Sequence, residues 1–197
     1  IVNRNSYIVN RICMSKGLHP TFICLLRGIN VGGKNIIKME ALKKSFEALG
    51  FSNVQSYIQS GNIIFSAGKK SVKTLTALIE QKLSSDFNYS ATAVVLDAND
   101  LNEVIAGAPK GFGKEPDKYR YDVLFFFHGH SPKEYFESIE IKEGVDDKYC
   151  GKKVIYFRRL ISKATSSKLS KIISSPLYQV ITIRNWNTTM KLSKLIG

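Results

Sequence analysis

The residues best suited to chemistry crowd into one short stretch, RGINVGGKN, at positions 27–35. Gly28, Gly32 and Gly33 open backbone angles that other residues avoid, and let a ligand approach the main chain closely. Arg27 and Lys34 flank them, so N–H groups and cations can converge on an anion. Gly28, Gly33 and Lys34 also carry the Walker A spacing, and Val94–Asp97 reads like a Walker B strand ending in aspartate. Position 35, however, is Asn35, where a triphosphatase needs serine or threonine to hold magnesium. The loop is therefore read as an anion-binding turn, beside the plainer reading of a strand-to-helix connection that needs glycine.

Two further stretches can add to that wall. Gln59, Ser60 and Asn62 lie at a hairpin turn, and Arg184 and Asn185 open the segment TIRNWNTT. The candidate ligand-binding set is thus Arg27, Gly32, Gly33, Lys34, Asn35, Gln59, Ser60, Asn62, Arg184 and Asn185. Trp186 is expected to anchor a helix to the core, with Asn185 or Asn187 as its cap. His128 and His130 flank Gly129 at a spacing that can put both rings on one side. No third ligand lies nearby, so neither a metal site nor a cofactor is expected. Asp146 and Asp147 are expected to pair with Lys148 and Lys152 at the surface. No Ser/His/Asp or Cys/His grouping emerges from sequence order, which leaves catalytic residues unassigned.

The net charge of +13 is unevenly spread. Residues 97–150 hold twelve acidic side chains against seven basic ones, whereas residues 151–197 hold ten basic and no acidic ones. Such a segment should attract a phosphate-bearing small molecule or nucleic acid, or fold against the acidic middle of the chain. No apolar run approaches the ~20 residues of a membrane span. The opening residues lack the apolar core of a secretory signal. Three scattered cysteines, Cys13, Cys24 and Cys150, make no disulfide framework, so a cytoplasmic protein is expected.

The elements that must position these residues follow from periodicity. Thr21–Gly28 is an apolar run ending in glycine, hence a strand. Met39, Leu42, Phe46 and Leu49 recur at helical spacing, with Gly50 as the stop. Val54–Ser60 and Ile63–Ala67 read as paired strands. Val72, Leu75, Ile79 and Leu83 mark a second helix, and Ala91–Asp97 a fourth strand. This is the split βαββαβ order of a ferredoxin-like unit. An RNA-recognition motif shares that order but needs exposed aromatics on its central strands, for which Phe22 and Phe65 are the candidates.

The second half partly repeats the pattern. A short helix, Asn99–Ala106, leads to the strand Tyr121–Phe127. Ser131, Pro132 and Glu134 then form a capping-box helix start. Strands at Asp147–Cys150 and Val154–Leu160 follow, then a helix near Lys168–Ile173. Pro176–Ile183 is strand or irregular, and Asn185–Ile196 a terminal helix. The fold class is α+β, with two ferredoxin-like halves of mainly antiparallel sheet, the second modified and ending in a helix. Met14 reads as a natural start, so residues 1–20 are expected to be a disordered extension. Residues 21–98 form the first half and 99–197 the second.

Together RGINVGGKN (27–35), KMEAL (38–42), YIQSGNIIF (57–65), SKL (167–169) and TIRNWNT (182–188) resemble the mainly bacterial family known as domain of unknown function 1697. The resemblance implies an α+β fold with ferredoxin-like halves and supplies no activity. The expected function is binding of a phosphorylated or anionic ligand, nucleic acid included, at loop 27–35. The alternatives are an enzyme acting on a small phosphorylated metabolite and a protein-interaction module with a basic tail.

Overall fold

The computed structural model describes residues 19–30 and 35–196; the expected extension lies outside these up to residue 18. In the first half, β1 (Thr21–Leu26), α1 (Met39–Ala48), β2 (Ser52–Tyr57), β3 (Asn62–Ser66), α2 (Val72–Phe87) and β4 (Ala93–Asp97) follow one another. The strands form an antiparallel sheet in the order β2-β3-β1-β4, the ferredoxin-like arrangement. Leu42 and Phe46 of α1 and Leu75, Ile79 and Leu83 of α2 are buried, which is the face their helical spacing marks out. Ser71 caps α2 by accepting from Thr74 N at 3.1 Å.

The second half runs α3 (Ala98–Ala106), β5 (Tyr119–Phe126), α4 (Pro132–Phe136), β6 (Asp146–Cys150), β7 (Val154–Leu160), α5 (Leu169–Ile173), β8 (Ile181–Asn185) and α6 (Trp186–Ile196). Its sheet order, β6-β7-β5-β8, repeats the first. The ambiguous stretch 176–183 resolves into a 3-10 segment, Pro176–Val180, followed by β8. Proline at the start of that segment supplies the fixed φ of a tight helical turn, which is why strand periodicity is missing there. α4 begins as expected, with Glu134 accepting from Ser131 N at 3.3 Å, but runs for only five residues.

Strand registers make the two halves superposable position by position. Ile23 opposes Leu96 and Val123 opposes Arg184, so Leu96 and Arg184 are counterparts. Phe22 opposes Phe65 while Asp122 opposes Phe157. Each fourth strand runs straight into a helix capped by its last residue. Asp97 accepts from Asp100 N at 2.7 Å, and Asn185 accepts from Asn187 N at 2.9 Å. The Walker B-like aspartate is thus a helix cap on a strand antiparallel to β1.

Both sheets are covered on both faces. Phe22, Cys24, Leu26, Ile63 and Phe65 pack with α1 and α2 in an outer core. The opposite face (Ile23, Leu25, Ile64, Val94, Leu96) joins Tyr121, Val123, Phe125, Val154 and Tyr156 in a middle core that also takes in Leu101, Trp186 and Leu192. Leu124, Phe126, Ile155, Phe157 and Ile181 build a third core beneath α5. Strands buried on both sides explain the near-continuous apolar runs. Phe22 and Phe65 are 5% and 0% exposed, so the base-stacking aromatics of an RNA-recognition motif are not displayed. Among the described residues, no helix is long and apolar enough to cross a membrane.

Candidate functional site

Arg184 leaves β8 and enters the seam between the halves, where it is only 8% exposed. Its Nε donates to Asn62 Oδ1 at 2.6 Å, and Nη2 donates to Leu26 O at 2.7 Å and Ser60 O at 3.2 Å. Nη1 donates to Thr182 Oγ1 at 2.8 Å and Ile183 O at 2.9 Å. Burial pushes its pKa down to about 10, so the guanidinium stays charged at neutral pH. All five bonds go to neutral acceptors, three of them on the first half. Asn62, fully buried, completes the link by donating from Nδ2 to Tyr57 O at 3.1 Å and Ser60 Oγ at 3.0 Å. Gly61 beside it has φ +72, and a Cβ there would meet Ile29 at 2.8 Å, so the turn requires glycine.

Arg27 makes a second link. Its Nη1 donates to Tyr178 O at 2.9 Å and Gln179 O at 2.8 Å, and its guanidinium lies 5.3 Å from the Phe127 ring. Arg27, the 60–62 turn and Arg184 of β8 therefore do converge on the seam. The donors of Arg27 and Arg184 are taken up by backbone carbonyls and by the side chains of Asn62, Thr182 and Gln179.

What the loop leaves open lies one step further along. Asn30 (φ +53) braces it, donating from Nδ2 to Ile37 O and to Gln59 O, both at 3.0 Å, and accepting from Ile37 N at 2.8 Å. Asn35 (φ +47) donates to Gly28 O at 3.0 Å. These braces shape a cleft of about 590 Å³ lined by Asn30, Ile36, Ile37, Lys38, Met39, Glu40 and Gln59. Lys38, the N-cap of α1, makes no side-chain cap hydrogen bond, so the first-turn N–H groups lack a capping side chain. Glu40 turns to Lys43, 3.4 Å away. Ile36 is 80% exposed, and Ile58, a β-branched residue at φ +51, is 51% exposed. Gly32, Gly33 and Lys34 lie outside the described residues.

The remaining candidates sit elsewhere. Asn185 donates to Tyr121 O at 3.1 Å besides capping α6. Trp186 is buried against Phe112, ring centres 5.2 Å apart, as its anchoring role requires. His130 Nδ1 lies 2.8 Å from Tyr135 Oη. Among the described residues, no group of three or more His, Cys, Asp or Glu is arranged to hold a metal ion. The expected pairing of Asp146 and Asp147 with Lys148 and Lys152 is replaced by other partners. Asp147 takes Arg158 at 2.7 Å, and buried Asp146 accepts from Lys142 N and Lys168 N at 3.0 and 2.8 Å. Lys148 donates to Phe136 O and Ile139 O, and Lys152 pairs with Glu103 at 3.4 Å. Strand register decides this, since Asp147 lies directly across from Arg158.

The carboxylate-free segment is likewise turned inward on the chain. Lys152, Lys153, Arg158, Arg159, Lys168 and Lys171 all pair with carboxylates between Asp100 and Asp147. Six of its ten cations thus face the acidic middle of the chain. Reading the sequence missed Asn30, Ile36, Lys38 and Glu40 as cleft residues. The signal available was the apolar pair Ile36-Ile37 inside a polar loop, which a solvated connection would not need.

The chain belongs to the family described as protein of unknown function (DUF1697), whose model matches residues 20–156. The SKL and TIRNWNT motifs lie beyond that span. The solved structure of the conserved bacterial protein SP0830 from Streptococcus pneumoniae is similar to it throughout. The two share 29% identity at a TM-score of 0.79, over 91% of this chain and 99% of that one. No curated protein matches the chain significantly.

Proposed function

We propose that the protein binds a small phosphorylated or otherwise anionic molecule in the cleft lined by Asn30, the 36–40 stretch and Gln59. The observation that carries this reading is the α1 N-terminus without a side-chain cap at the floor of a pre-braced cleft. Free N–H groups and the positive end of the helix dipole favour an anion there. Lys38 adds a cation, Gln59 a second polar wall, and exposed Ile36 an apolar rim for the body of the ligand, while Glu40 beside Lys38 is drawn off by Lys43. Ile58, next to Gln59 in the chain, is β-branched and held at positive φ, and such strain gathers near binding sites. Nucleic acid offers the same phosphate chemistry, but the covered sheet faces give its bases no aromatic platform. Cys24 and Cys150 are free thiols, in keeping with the reducing cytoplasm.

The test is a thermal-shift panel of inorganic phosphate, nucleotides and sugar phosphates at low salt. A ligand that raises the melting temperature of the wild type should lose its effect in Lys38→Ala and in Gln59→Ala. No shift across the panel, or shifts that survive both substitutions, would refute the reading.

A further inference from the structure

The wall that Gln59 gives the cleft is held from outside the cleft. Every described residue lining it belongs to the first half, between Asn30 and Gln59. The turn that carries Gln59, however, is fastened by an arginine 124 positions beyond Ser60 in the chain. Arg184 Nη2 donates to Ser60 O, the carbonyl next after that of Gln59, and Arg184 Nε donates to Asn62 Oδ1. The second bond fixes which way the Asn62 amide faces, so that its Nδ2 reaches back across the turn to Tyr57 O and Ser60 Oγ. Tyr57 O and Ser60 O lie on either side of Ile58 and Gln59, and both holds run through Arg184. On the cleft side one bond answers them, from Asn30 Nδ2 to Gln59 O.

The backbone of the turn is the reason it needs this hold. Ile58 sits at φ +51 and Gly61 at φ +72. Glycine adopts such an angle freely. A β-branched residue does not, and stays there only where its surroundings over-determine the conformation. Ile58 is half-exposed, so packing supplies little of that constraint, and the hydrogen bonds on either side supply the rest. Without Arg184, Ile58 can relax towards negative φ, and the first residue displaced is Gln59.

We infer that Arg184, on the anion-binding reading of this cleft, is a positioning residue for it: the seated second half holds Gln59, through Ser60 and Asn62, where it can meet an anion at the α1 N-terminus. Affinity in a cleft built wholly from the first half is thereby coupled to the docking of the second. Arg27, the other link across the seam, takes no part, because its bonds go to Tyr178 and Gln179 and not to the 57–62 turn.

The experiment titrates inorganic phosphate into the full chain, well below the melting temperature of each variant, and follows the backbone amide resonances of Met39, Glu40 and Gln59. Arg184→Lys keeps the charge but loses the fork, so it cannot serve Ser60 O and Asn62 together. It should weaken phosphate binding about tenfold, while Arg27→Ala stays within about twofold of the wild type. Asn62→Ala, a milder cut that leaves Arg184 on Ser60 O, should weaken binding about threefold. Ile58→Gly removes the strain, so the turn keeps its shape with less help. Added to Arg184→Lys or to Asn62→Ala, it should restore most of the lost affinity, which a general loss of stability would not allow. Wild-type affinity in both Arg184→Lys and Asn62→Ala, an equal loss in Arg27→Ala, or no recovery with Ile58→Gly would overturn the coupling and leave the cleft reading standing. No response of the three amides in the wild type would overturn the cleft reading itself, and the coupling with it.

Discussion

The two ends of the seam between the halves are equivalent in topology and opposite in chemistry. At one end Arg184 meets Asn62; at the other, the same two positions are occupied by Leu96 and Val154, both in the middle core. The apolar end holds through burial alone, which is non-directional. The polar end fixes geometry, because a forked guanidinium reaches Leu26 O, Ser60 O and Asn62 Oδ1 only in one arrangement. It does so beside the glycine-rich loop. The difference teaches that arginines of the conspicuous motifs serve to hold the loop and the hairpin in register with the second half.

Arg184→Leu turns the polar end into a copy of the apolar one and should have the largest effect. It strands buried carbonyls and Asn62, and a loss of ~3–5 kcal/mol in urea unfolding is expected. A loss under ~1 kcal/mol, the range of an ordinary surface change, would break the comparison. Adding Asn62→Val, the residue type found at Val154, should recover part of the loss, since one orphaned group is then removed.

Asn62→Ala alone leaves Arg184 Nε without its acceptor and should cost ~1–3 kcal/mol by the same measurement. An effect equal to that of Arg184→Leu would mean that the carbonyl bonds contribute nothing.

The outer layers give a smaller effect. Ser45→Ala removes the α1–α2 hydrogen bond and should cost ~1 kcal/mol. No measurable loss in urea unfolding would show that this bond does not tie α1 to α2.

Asp122 occupies the place of Phe22, and burial raises its pKa above the ordinary aspartate value despite Arg159 and Arg120 nearby. A carboxyl with a raised folded pKa binds more protons folded than unfolded. Stability therefore falls as pH rises from the unfolded value of about 4 through the folded one. Asp122→Asn should flatten that part of the stability curve, as read from urea melts at acid and neutral pH. An unchanged slope would show that burial does not govern this group.

Much of the fold was legible because pattern and burial agree. Strand stretches such as Phe22–Leu26 and Val123–Phe126 are apolar throughout, and the helices of the first half show their buried stripe. Pro176–Val180 was not legible, since it is held by Arg27 from a residue 151 positions away. The candidate site was half legible. Glycine and arginine types located the place where the loop, the hairpin and β8 meet, but not the direction of the side chains. Arg184 looks the same in sequence whether it faces a phosphate or five neutral acceptors. Lys38 and Ile36 carry no motif, and their placement depends on Asn30 bracing the loop.

The most direct test of the account is the phosphate-induced rise in melting temperature of Arg27→Ala beside that of Lys38→Ala, each against its own ligand-free value. Arg27→Ala should melt lower and keep the rise; Lys38→Ala should melt as the wild type does and lose it. A rise lost in Arg27→Ala and kept in Lys38→Ala would contradict the account, and return the anion to the arginine of the glycine-rich loop.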